Sequence, residues 1–239
     1  MRHAVVSLLA VLASGCFGNT DTPFVPTDAG PPSDGGPDYR GLAALEPNLA
    51  SPPAPQDGNP YPEELVLVDS MAIDAPRTPA VHARGYVQAP VSAVWAALQI
   101  PDVNADRRAL TSYTTMPVEP TSYDAEYVIH AVVVNVITIE YEQTWRHARL
   151  LGTEQAPAHV AMSWQKTWGS SALSDLRGWI ELREVAPGVT EIAMIEYLNA
   201  VTQSHPTIRS FFHDLFREVV IVAHGGTVPL IADLPPITM

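Results

Sequence analysis

Between residues 123 and 200 the chain alternates apolar and polar side chains in five successive runs, then switches to the spacing of a helix. The runs are 123–134, 137–150, 159–168, 176–185 and 190–200. Successive side chains of a strand point to opposite faces, so each run can bury one face and wet the other. In 137–150 one face carries Ile137, Ile139, Tyr141, Gln143, Trp145 and His147. The other carries Thr138, Glu140, Glu142, Thr144 and Arg146 and reads as the solvent side. In 159–168 the larger, more apolar face is Val160, Met162, Trp164, Lys166 and Trp168. Ile192, Met194 and Leu198 share a face with Glu196, while Trp179 shares one with Glu181 and Arg183, which leaves its direction open. Ala186-Pro187-Gly188 is a tight-turn signal between the last two runs. Residues 207–224 then place Ile208, Phe211, Phe212, Leu215, Val219 and Val222 on one helical stripe, which Gly225-Gly226 ends. Neighbouring strands followed by one amphipathic helix bury both apolar faces by laying helix on sheet, an α+β arrangement.

Upstream, 65–71 and 81–88 read as strands. Residues 90–100 read as a helix with Pro90 at its start and Val91, Val94, Trp95 and Leu98 on one face, and 102–109 as a second short helix. Residues 63–226 thus make one domain, long enough for a real core. Ala89-Pro90-Val91 with Val94-Trp95 and Leu98 resembles the helix start of the START/Bet v 1-like superfamily (SRPBCC, the polyketide cyclase/dehydrase and lipid-transport group). Trp179-Ile180-Glu181-Leu182, Gly188-Val189-Thr190-Glu191-Ile192 and the helix after them are similar to that family's last hairpin and gripping helix. The resemblance covers roughly 65–226 and implies a helix-grip fold: a curved antiparallel sheet around the C-terminal helix, with two short helices early on and a cavity between. Family members hold sterols, phospholipids, plant hormones or polyketides there. The family also includes enzymes, and fold alone does not assign activity.

The N-terminus has a different character. Met1-Arg2-His3 is positively charged, 4–13 is uncharged and almost wholly apolar, and Ser14-Gly15 supplies small residues before Cys16. That is the order of a secretory signal. As a helix the apolar run reaches about 15 Å, half of a hydrocarbon core of about 30 Å. Leu12-Ala13-Ser14-Gly15-Cys16 resembles the lipobox of bacterial lipoproteins, with Ala13 where that family prefers Leu. The resemblance implies cleavage of 1–15, lipid on the Cys16 sulfur and amine, and a membrane-anchored protein on the periplasmic or outer-membrane side of a bacterial envelope. Cys16 is the only cysteine, so no internal disulfide forms. Residues 16–62 hold 11 of the 23 prolines amid Gly, Asp, Ser and Thr, and read as a disordered linker, with 42–45 as a possible local turn of helix. Residues 227–239 form a Pro-containing tail with no clear signal.

The formal charge of −13 makes nucleic acid a poor partner. Expected partners are a hydrophobic small molecule or lipid and, through the anchor, a membrane, with the domain a monomer. No cofactor or metal is expected, since His205, His213 and His224 lack metal spacing. No Gly-x-Ser-x-Gly elbow, phosphate loop or Cys/His pair marks a catalytic residue, so binding is expected ahead of the alternatives, a cyclase or hydrolase of a hydrophobic substrate on the same fold or a ligand-free envelope interaction protein. The candidate cavity lining is Trp145, His147, Met162, Trp164, Trp179, Met194, Phe212, Leu215 and Phe216, with a filled core as the alternative. Gln143, His147, Lys166 and Glu196 are the inward polar candidates that would orient a ligand. Val136-Ile137 and the residues before them form either a hairpin tip at a cavity mouth or two central strands.

Overall fold

The computed structural model describes residues 41–42, 46–135, 137–201 and 205–234. The signal, Cys16 and residues 16–40 of the linker lie outside the described residues. Strands β1 (Leu65–Met71) and β2 (Pro79–Val87) form a hairpin. Helices α1 (Val91–Leu98) and α2 (Pro101–Asn104) then carry the chain to the far edge of the sheet. There β3 (Ser112–Pro117), β4 (Ala125–Val134), β5 (Thr138–Gly152), β6 (Pro157–Gly169), β7 (Leu173–Ala186) and β8 (Val189–Ala200) run as a meander. The sheet order is β1-β2-β8-β7-β6-β5-β4-β3, all neighbours antiparallel. Helix α3 (His205–Ala223) lies along one face. This is the helix-grip fold that the resemblance implied.

The sheet bends where the β5–β6 register slips, between Glu142 and Gln143 and again near Arg149–Leu151. An extra residue on one strand increases local twist and bends it. The β7–β8 turn uses Gly188 at φ +71°, a conformation that disfavours side chains. Ile208, Phe211, Phe212, Leu215, Phe216 and Val219 of α3 are buried against the concave face. Each such side chain contributes roughly 1.5–3 kcal/mol when taken from water.

Three features go beyond the sequence reading or depart from it. Residues 112–117 carry no strand signal, yet form the edge strand β3; its side chains are mostly exposed and need no apolar alternation. The expected helix over 102–109 stops at Asn104, whose Nδ2 turns back to donate to the Leu98 carbonyl and to the Tyr127 hydroxyl. Asp106 then holds a separate turn, accepting from the Ala109 N–H at 3.2 Å. Asn and Asp side chains compete with the helix for backbone groups in this way.

The third concerns the linker. Its described residues do not hang free but pack on the convex face. Asn48 Nδ2 donates to the carbonyls of Ala83 (3.1 Å) and Met194 (3.0 Å), and the Leu49 N–H donates to His82 Nδ1 (3.2 Å). The Glu46 carboxylate lies 3.0 Å from His82 Nε2, and Ala50 is buried. A Pro-rich segment with no core of its own can still be ordered by the strand carbonyls of another element. In the tail, Ile231–Asp233 forms a 3-10 turn and the Pro229 carbonyl accepts from Arg107 (3.0 Å), while 235–239 lie outside the described residues.

Candidate functional site

The aromatic interior is packed solid. Trp145 and Trp164 stack with centroids 4.4 Å apart and planes at 11°, and Tyr127 lies parallel to Trp145 at 6.3 Å. Met162, Met194, Phe212, Leu215 and Phe216 fill the space around them. These seven expected lining residues therefore face the concave side and form its core. His147 is fully buried beside Tyr127, its Nδ1 accepting from Trp95 Nε1–H at 3.3 Å. Burial pushes its pKa down to about 3 and keeps the ring neutral. Trp179 points the other way, packing on the convex face with Leu42, Ala148 and Ala161. Its neighbours Glu181 and Arg183 belong to that face too, the reading the strand pattern left open.

A cavity of about 140 Å³ remains at one end of the concave face, under the turn after α2 and the first turns of α3. Val133, Ile139, Leu176, Leu198 and Phe211 form its apolar walls. Asn104, Asp106, Tyr141, Gln143, Glu196 and Thr207 bring polar groups to it. Glu196 and Gln143 are two of the four polar candidates picked from strand alternation. Lys166, opposite Gln143 across the β5–β6 pair, is half-buried and not part of this lining. Asn104, Asp106 and Thr207 were missed because they lie at helix ends and in a turn, where no two-residue period reveals facing. Tyr141 was legible, on the same strand face as Gln143.

Glu196 is held in a specific way. Its cross-strand partner on β7 is Gly178. A Cβ on that glycine would stand 1.8 Å from the Trp164 ring, so only a bare backbone lets the indole lie there. From that position the Trp164 indole N–H donates to the Glu196 carboxyl. Burial raises the Glu196 pKa well above the ordinary carboxyl range, and the nearby Asp106 raises it further. Burial also pushes Asp106 up to about 6, with Asp214 adding to the effect; the Ala109 N–H and Arg108 act against it. Tyr141 is raised by burial and by both acids.

The turn that carries Asp106 is fastened to α3 by two ion pairs. Arg108 grips Asp214 through Nε (2.6 Å) and Nη2 (3.0 Å), and Arg107 Nη2 donates to Glu218 at 2.7 Å. Burial nonetheless pushes Glu218 up to about 7. The histidines flanking α3 go to separate partners, His205 to the Ser70 carbonyl (2.7 Å) and His224 to Glu63 (2.8 Å).

A larger hollow, about 600 Å³, lies on the convex face between 46–48 and strands β2, β7 and β8. Its charges pair with one another: Arg183 with Glu181 at 2.7 Å, His159 with Glu181 at 2.6 Å, and Arg84 with Glu191 at 4.0 Å. Residues 43–45, where the sequence suggested a local turn of helix, lie outside the described residues. The cavity with Glu196 is the better candidate, because its polar groups converge within apolar walls.

No family model matches the chain, and no curated protein matches it. Among solved structures it is similar to the Zhui aromatase/cyclase from a Streptomyces species, at 11% identity and a TM-score of 0.43, over 63% of this chain and all of that one (100%). It is also similar to the lipid transfer and protein localization domain of human StarD13, at 10% identity and a TM-score of 0.48, over 67% of this chain and 86% of that one. The fold assignment itself rests on the strand order and the packing of α3 described above.

Proposed function

We propose that the domain binds a small hydrophobic molecule in the cavity between α3 and the concave face, and that Cys16 carries the lipid that holds the protein at a bacterial membrane. The observation that carries the binding reading is the cavity itself: apolar walls with a few convergent polar groups, next to a core that is otherwise filled. Its size narrows the ligand. A dry protein cavity of about 150 Å³ takes a molecule such as benzene, whereas drug-sized ligands occupy roughly 300–1,000 Å³. One ring, or a short branched chain, fits the 140 Å³ here; a sterol or phospholipid exceeds it. Anchoring rests on the lipobox resemblance. Two or more acyl chains give stable attachment where one gives only marginal binding.

Native mass spectrometry of the purified full chain, with thermal shifts against a panel of small apolar compounds, tests the first part. A ligand at 100 times its Kd stabilises by about 2.7 kcal/mol. A chain that purifies empty and ignores the panel would refute the reading. For the anchor, a clickable fatty acid should label the wild type and not Cys16→Ser; label that survives the substitution counts against it.

One observation favours catalysis on the same fold. Burial raises the Glu196 pKa well above the ordinary carboxyl range and pushes Asp106 up to about 6, and a pair of perturbed acids in one pocket is the kind that supports proton transfer. Glu196→Gln separates the readings: a binder changes affinity, whereas an enzyme loses turnover of the same compound.

A further inference from the structure

The ionisable groups around the cavity are all acidic. The ionisable groups among its described lining residues are Asp106, Glu196 and Tyr141, and no lysine, arginine or histidine is among them. Asn104 is buried, and its Nδ2 is committed to the Leu98 carbonyl, which can only accept; this fixes the amide's orientation and leaves Oδ1 with no partner. A buried acceptor without a donor costs roughly 1–3 kcal/mol. The lining therefore leaves Asn104 Oδ1 without a donor and sets no basic side chain beside its two carboxyls, its other donors being the neutral Tyr141, Gln143 and Thr207. The nearest cation behind Asp106, Arg108, is held by Asp214.

We propose that the ligand is a small apolar amine, bound as its ammonium, with the charged head set against Glu196, Asp106 and Asn104 Oδ1 and the hydrocarbon body against Ile139, Leu176, Leu198 and Phe211. This deepens the binding reading above and rests on it. An ammonium offers three donors and no acceptor, which suits two carboxyls and an unpaired amide oxygen. A carboxylate ligand would add a third negative group to a pocket with no cation. A neutral hydrocarbon would leave Asn104 Oδ1 unpaired. The protein's formal charge of −13 also raises the local concentration of cations. An ammonium beside Glu196 favours its ionised form, so binding should release a proton. The groups that decide this are Glu196 on β8, Tyr141 on β5, Asp106 on the turn, and Arg108 and Asp214 behind it.

The test is titration calorimetry of the purified full chain near neutral pH with a matched set: phenethylamine, phenethyl alcohol, ethylbenzene and phenylacetate. The amine should bind at least about tenfold more tightly than the alcohol, the value of one charge-assisted hydrogen bond, with phenylacetate weakest. Repeating the titration in buffers of different ionisation enthalpy should show proton release for the amine alone. Glu196→Gln and Asp106→Asn keep shape and remove charge. Each should erase most of the amine's margin and leave the alcohol within about threefold, since its neutral hydrogen bonds persist. A margin that survives both variants, or an alcohol that binds as well as the amine, overturns the proposal. If the alcohol or ethylbenzene binds and the amine does not, the amine assignment fails and the apolar pocket stands. If no member of the set binds, the amine assignment fails, and the broader panel then decides the pocket.

Discussion

Gly178→Ala is the sharpest test of how the site is held. The added methyl carbon would lie 1.8, 2.1 and 2.3 Å from Cζ2, Cε2 and Cη2 of Trp164. Carbon atoms settle at about 3.5–4.0 Å, so the indole must retreat by well over an ångström. It has nowhere to go, because Trp145 is stacked on it at 4.4 Å and both rings are buried. Overpacking of this kind costs about 1–3 kcal/mol. Moving the indole also breaks its hydrogen bond to Glu196, worth about 1 kcal/mol. Against this, alanine gains roughly 0.5–1 kcal/mol over glycine within a strand. The net expectation is a loss of about 1–3.5 kcal/mol, centred near 2. With a urea m-value near the top of the usual range, about 2–3 kcal/mol/M, the unfolding midpoint falls by about 1 M. The assay is urea unfolding followed by circular dichroism and by tryptophan fluorescence, repeated in a Trp164→Phe background. The smaller ring vacates the contested space, so Gly178→Ala should there cost less than about 0.5 kcal/mol. Additivity between the two substitutions would show that the contact carries no energy of its own and refute the reasoning.

Three further outcomes are expected. His147 is kept neutral by burial, with its pKa at about 3 against an ordinary 6.5. Below 6.5 the unfolded chain binds a proton that the folded one refuses, so this residue makes stability fall as pH drops toward 3; urea midpoints of wild type and His147→Gln should converge across that window, and parallel curves would sink the argument. Glu196 has the opposite sign: its raised pKa means the folded state keeps a proton the unfolded state has lost, so its contribution is present at acid pH and is lost as pH rises above the ordinary carboxyl range. Glu196→Gln should therefore gain on wild type in Tm as pH rises, and a constant difference would count against it. Asn48→Ala removes hydrogen bonds to the Ala83 and Met194 carbonyls and from the Ala50 N–H, so amide exchange over 46–62 should accelerate while the sheet stays protected; unchanged exchange would mean the segment is held by something else.

In the proposed site the carboxyls carry more of the chemistry than the aromatic rings. Trp145, Trp164 and Phe212 close the interior rather than open it, and room remains at the end near Glu196. The turn of 105–110 forms the roof there. It is attached to α3 by Arg107 to Glu218 and Arg108 to Asp214. The first pair joins a fixed cation to a carboxyl whose pKa burial has raised to about 7, so its charge falls as pH drops below neutrality.

The sequence by itself determined the fold and much of its facing. Period-two alternation places Tyr141, Gln143, Trp145 and His147 on one side of β5 without ambiguity, because the pleat admits only two faces. The helical stripe from Ile208 to Val219 names the element that covers them. For the same reason Glu196 could be read as an inward acid between Met194 and Leu198. Only the tertiary structure decided the rest. Trp179 lies on a strand whose two faces are both partly apolar, and the covering of the convex face by Leu42 and the 46–50 segment settles its direction. Asn104 and Asp106 depend on a helix that stops early because their side chains hydrogen-bond locally, a competition that a pattern of apolar spacing does not record. Whether the concave face holds a cavity or a core turns on how the rings of β5, β6 and α3 interlock. That depends on the absence of one side chain at Gly178, and on distances no linear pattern contains.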